Sequence, residues 1–152
     1  MAYTAAEARQ ELVDAFGEAI EQIGFALADL GAAYEQLDEA AGDRLEERLF
    51  RPVQHAYGRA QRTYAGFAER HGLEARAFTP QSGGLPSQGI HGFLERTLDA
   101  VEEADLILVE LQDSMMPVEV GDAELRAGLA AVRALVEDVR ARSREVLRTL
   151  GR

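Results

Sequence analysis

Three histidines, His55, His71 and His91, four tyrosines and a dense set of carboxylates are the side chains of this 152-residue chain with types suited to chemistry. A ferritin-like di-metal centre places a glutamate three residues before a histidine, so that both side chains leave one face of a helix. The residues at those positions are Pro52, Ala68 and Gln88, so none of the histidines is set up as such a ligand. Cysteine is absent, which removes thiolate metal sites, disulfides and cysteine nucleophiles together. Acidic runs such as Glu102, Glu103 and Asp105 read as a solvated helix face, and His55 reads as a surface histidine at an outward helix position. The expectation is therefore no catalytic residue, no metal and no cofactor; the chain is not an enzyme.

More informative are polar side chains that fall where an apolar one is due. Tyr57, Tyr64, His71, Thr97 and Ser143 all lie on otherwise apolar series. Two outcomes are open. The hydroxyls hydrogen-bond one another or their own helix backbones and fix the register of the fold. Alternatively they line a small pocket, roomy because of neighbouring alanines, for a modest apolar or aromatic ligand.

The elements that must carry these residues are helices. Thr4-Ala-Ala-Glu7 has the form of a capping box, and from there Val13, Phe16, Ile20, Ile23, Leu27, Leu30, Tyr34, Leu37 and Ala41 step by threes and fours. This is a heptad seam, predicting a helix over 4–42. Asp43-Arg-Leu-Glu46 repeats the capping pattern and opens a second helix, 43–71, through Val53, Tyr57, Ala60, Tyr64 and Phe67, with Gly72 as its stop. Pro52 predicts a kink or a short irregular turn near its start. After a linker at 73–86, Ser87 opens a third helix, 87–115, which ends before Pro117. Asp122 caps a fourth, 122–150, whose seam runs through Leu125, Leu129, Val132, Val136, Val139, Ser143 and Val146.

Four heptad-patterned helices in one domain, 1–152, predict an all-α fold: an antiparallel up-down-up-down four-helix bundle with coiled-coil-like seams. Charge points to the same order. Residues 5–42 hold nine acids and one arginine, and 87–116 hold seven and one, whereas the second and fourth helices each carry six arginines. Acidic helices on the diagonals would each lie between two basic ones. Gly17, Gly24 and Gly31 fall on one shoulder of the first seam and alanines on the other, an arrangement that lets neighbouring helices approach closely. Aligning the tips of the two hairpins puts Tyr64, Thr97 and Ser143 in one layer, with His71 just below and Tyr57 just above.

Net charge of −11 argues against nucleic-acid binding, and no apolar run approaches the roughly 20 residues of a membrane span. The N-terminus lacks a signal-peptide pattern, so a cytoplasmic protein is expected. Phe25, at an outward position with Ala28 and Ala32 beside it, is a candidate contact window. Taken together, these features predict a non-enzymatic interaction or oligomerisation protein, acting as a homo-oligomer or on a protein partner. The alternative is a bundle that binds a small apolar ligand in a tyrosine-lined pocket.

Overall fold

The structure is a computed structural model and describes residues 4–79 and 89–150. All regular elements among them are helical: α1 (Ala5–Glu35), α2 (Glu39–Leu45), a π-helical turn (Glu46–Phe50), α3 (Arg51–His71), α4 (Gly89–Asp113), α5 (Met116–Glu119) and α6 (Ala123–Leu150). No helix among them is long and apolar enough to cross a membrane.

Local chemistry explains most boundaries. Thr4 accepts from Glu7 N at 3.1 Å, and Thr4 N donates back to the Glu7 carboxylate at 3.4 Å, completing the box that starts α1. The helix does not continue to Gly42. It stops at Glu35, and Asp38 restarts the chain by accepting from Ala41 N at 2.8 Å. Asp43, read as a cap, is thus an exposed residue inside α2. The irregular turn ahead of Pro52 is the π-helical one, where Arg51 N donates to Glu46 O. Gly72 ends α3 in the left-handed conformation, φ 63°, and Leu73 N closes the last turn on Ala68 O. Ser87 lies outside the described residues. Met115 ends the α4 region at φ 68°, α5 makes one further turn, and Asp122 accepts from Leu125 N at 2.8 Å to start α6 as expected.

The seams were legible to differing degrees. Every expected position of α6 from Leu125 to Val146 is buried. In α1 the buried face drifts by one residue along its length. Ala26 and Ala33 are sealed, Leu27 is half-buried, and Tyr34 is 40% exposed.

Helix order differs from the charge-based expectation. Packing runs around a ring in which α1 touches α3 and α4, and α6 touches the same two helices. Arg9 Nε donates to Val120 O at one end of the α1–α4 pair, and Arg96 meets Asp29 at the other, so these helices are antiparallel. Arg70 with Asp122 and Arg48 with Glu145 set α3 antiparallel to α6 in the same way. Thus α3 and α4 run in the same direction, the order is not up-down-up-down, and the acidic helices α1 and α4 are neighbours. The physical reason is the connection after Gly72. Leu73–Thr79 climbs along α1, from Gln10 paired with Glu74 to Arg76 beside Glu21, instead of turning back at once. The two hairpin tips therefore lie at opposite ends of the molecule.

Candidate functional site

The reversed second hairpin separates the polar layer. Tyr64 packs edge-on against Phe16, level with Thr63 and Gly128, while Ser143 lies fifteen residues further along α6, about 22 Å away along the axis. Thr97, near the Asp29–Arg96 pair, is also at that far end. Both hydroxyls turn inward to their own helices. Thr97 Oγ1 donates to Phe93 O at 2.9 Å and Ser143 Oγ to Val139 O at 2.8 Å. They are satisfied, buried residues of the core and touch no tyrosine hydroxyl.

His71 belongs to a latch between the end of α3 and the start of α6. Its Nε2 lies 2.9 Å from Asp122 Oδ2, and its ring rests on Phe67 at 4.5 Å between centroids. Arg70 grips the same carboxylate with two bonds, at 2.8 and 2.9 Å, and reaches Glu124 with its remaining nitrogen at 2.8 Å. Hydrogen bonds from Arg70 first, then from Leu125 N and His71, hold the Asp122 carboxyl well below the usual carboxylate range against the opposing effect of burial. The Asp122 hydrogen bond in turn raises the Arg70 guanidinium.

Tyr57 and Tyr64 each border a strap formed by a segment read only as a linker. Arg76 N donates to Tyr64 Oη at 3.0 Å, Phe78 meets the Tyr64 ring edge-on at 5.0 Å, and the Arg76 guanidinium lies 5.3 Å over Phe78. Gln10 holds the strap by its backbone, donating to Glu74 O and accepting from Glu74 N, both at 3.0 Å. Arg76 also pairs with Glu21 at 3.4 Å. The glycine series serves this strap. A Cβ at Gly17 would meet the Arg76 guanidinium at 3.0 Å, and one at Gly24 the Tyr57 hydroxyl at 3.3 Å, whereas one at Gly31 would have its nearest neighbour in Phe50 at 3.8 Å. None of the three marks a close approach of two helix backbones, which corrects the reading of the repeat. Tight helix contact occurs instead at Gly128, where a Cβ would overlap the Thr63 side chain.

Two surface pockets flank Arg76. The smaller, about 190 Å³, is lined by Glu21, Gly24, Tyr57, Arg76, Phe78 and neighbouring strap atoms. The larger, about 380 Å³, is bordered by Gln10, Asp14, Glu18, Tyr64 and Glu74. Burial pushes the Tyr57 hydroxyl up, so it remains a donor at neutral pH. At the centre of the molecule the gap among Ile23, Val53, Ala56, Val101, Val136 and Val139 is only about 10 Å³, no larger than one water and apolar. Among the described residues no three histidine, aspartate or glutamate side chains converge as a metal site.

Phe25 is half-buried, packed against the core, and lines a depression of about 380 Å³ with Gln22, Asp29, Arg96, Asp99 and Ala100 on the α1–α4 side. Ala28 and Ala32 beside it are also half-buried. Among the described residues, the large side chains that stand out into solvent are elsewhere: Leu106, Met115 and Val118, at 52%, 49% and 59% exposure, and Tyr34 at 40%. Leu106 interrupts an otherwise acidic outer stripe, Asp99, Glu103, Glu110 and Asp113, a signal already present in the sequence at steps of three and four. No protein-family model, curated protein or solved structure matches this chain.

Proposed function

We propose that this chain is a non-enzymatic, antiparallel four-helix bundle with heptad seams that works by association, first of all with itself. One observation carries the reading: Leu106 on α4, Met115 after it and Val118 on α5 stand exposed, while the gap among Ile23, Val53, Val101 and Val136 between the helices is only about 10 Å³. Exposed leucine, methionine and valine on α4 and the turn that follows it favour a contact surface over a ligand chamber. Association through this side differs from the Phe25 window, since Phe25 is already half-covered by its own helices. Light scattering of the purified chain over a range of concentrations tests the idea. The mass should rise above 16.6 kDa with concentration. Leu106→Glu should bring it back towards the monomer, and Phe25→Glu should not; a constant monomer mass rules out self-association.

A second reading rests on the pocket of about 190 Å³ at Tyr57. Tyr57, Phe78 and Arg76 line it together, a combination that suits a small aromatic molecule with one polar end. Such a compound should raise the melting temperature of the wild type and not of Arg76→Ala; if a panel of these molecules shifts neither, the pocket is idle.

A further inference from the structure

We propose that self-association closes as a two-fold dimer through the α4–α6 face, with α4 of each copy lying on α6 of the other. This rests on the self-association reading above and assigns it a geometry. The two helices of the face are unlike. Outermost on α4 are Asp99, Glu103, Glu110 and Asp113, with exposed Leu106 at their centre. Outermost on α6 are exposed alanines, Ala127, Ala130, Ala134 and Ala141. Arg133, Arg140 and Arg144 border that stripe on its α4 side, paired within the chain to Glu137, Asp105 and Glu102 and keeping 37%, 38% and 57% of their side chains exposed. An apolar knob with an acidic rim therefore stands beside a shallow small-residue floor on a helix that is basic on balance, with six arginines to four acids.

Symmetry then selects the arrangement. Two copies of a two-helix face can meet about a two-fold axis that lies in the interface, either along the helices or across them. An axis across the helices lays α4 on α4 and α6 on α6, opposing carboxylates to carboxylates and arginines to arginines, which costs free energy. An axis along the helices lays each α4 on the partner's α6, antiparallel, and both contacts are then complementary in charge and in shape. Height is preserved by that axis. The pairs Asp105–Arg140, Glu102–Arg144 and Gln112–Arg133 place Leu106 level with Val139, so it comes down beside Ala141 in the second copy. By the same count Asp99 comes level with Val146, two residues from Arg148, and Glu110 with Leu135, two residues from both Arg133 and Glu137. The face is large enough: 25 and 28 residues of helix about 10 Å apart give roughly 700 Å² per copy, near the ~800 Å² per partner of stable interfaces.

The absence of cysteine makes the test direct. Leu106→Cys and Ala141→Cys chains, each checked for an unchanged melting temperature, are oxidised separately and as an equimolar mixture, alongside sedimentation of the wild type in low and high salt. The expected result is a wild-type dimer weakened by salt, a covalent dimer in the mixture, and none from either variant alone. Leu106→Glu should weaken the wild-type dimer by at least about tenfold, since it places a charge at the centre of the contact. Cross-linking of Leu106→Cys with itself would mean the axis runs across the helices and overturns the proposal. A sedimenting dimer with no cross-link in the mixture overturns this geometry and leaves self-association standing. A wild type that stays monomeric up to about 100 µM overturns both.

Discussion

Helix α4 is joined to its two partners by opposite means. Towards α6 the contact is edged with charge: Arg140 reaches Asp105 at 3.4 Å, Arg144 reaches Glu102 at 3.1 Å, and Arg133 donates to Gln112 at 3.0 Å. Towards α1 the two helices carry fourteen acids and two arginines between them, yet this is the most extensive packing in the molecule. The register set by Asp29 with Arg96 brings the sealed Ala26 opposite Ala100. Small side chains let the helices close up and gain dispersion along their length, and the acids other than the buried Asp29 and Asp105 reach the surface, where water and salt screen them. Burial outweighs surface charge in deciding who packs on whom. Exposed pairs are worth a few tenths of a kcal/mol, whereas one misfitted core side chain costs about 1–3.

Breaking the small-residue seam should therefore do the greatest harm. Ala26→Leu forces α1 and α4 apart and is expected to cost about 2–3 kcal/mol, lowering the melting temperature by about 5–10 °C. Next comes Arg140→Ala on the charged side, because it strips the cation from Asp105, a carboxylate only 7% exposed; a loss of about 1–2 kcal/mol in urea titration is expected. Removing the half-exposed Arg144 instead should change stability by less than about 0.5 kcal/mol. If Arg144→Ala proved as harmful as Ala26→Leu, the ranking of the two seams would be reversed.

Two further changes sharpen the contrast away from α4. The Asp122 latch is stabilising while its carboxylate is charged. Because the folded-state pKa is depressed, that contribution is full above the ordinary value near 4 and is lost as the pH falls below it. Asp122→Asn should accordingly cost about 1 kcal/mol at pH 7, and the gap to wild type should shrink towards pH 2. On α1, Gly31→Ala meets only an ordinary contact with Phe50 and should stabilise by about 0.5–1 kcal/mol, whereas Gly24→Ala must displace Tyr57 and gains nothing. Equal melting temperatures for these two variants would remove the strap and Tyr57 from the explanation of the glycine repeat.

The parts of this molecule legible in the sequence were those set by neighbours within one or two helical turns. Thr4 with Glu7, Asp122 with Leu125 and the stop at Gly72 are short-range chemistry, and each stands where the sequence put it. Helical periodicity likewise marked nearly every buried position of α6. The candidate site was only half legible. Tyr57 and Tyr64 both border the strap, in separate pockets on either side of Arg76, and the strap's own residues, Arg76 and Phe78, came from a stretch with no periodic signal. Thr97 and Ser143 were placed beside them on the assumption of aligned hairpin tips, and the tips are not aligned.

That assumption marks the boundary between the two kinds of information. By itself the sequence determined that the chain is helical, where α1 and α6 begin and α3 ends, most of the residues that face inward and the net negative charge, because hydrogen bonding and side-chain periodicity act locally. Only the tertiary structure decided the order of the helices around the core, the direction of the second hairpin and hence which polar groups meet. A seventeen-residue connection can return beside its origin or cross the length of the bundle at nearly equal entropic cost, so its path is settled by what it finds to pack against. Here that is the groove over Gly17 and Gly24, where Arg76 and Phe78 find Glu21 and two tyrosines.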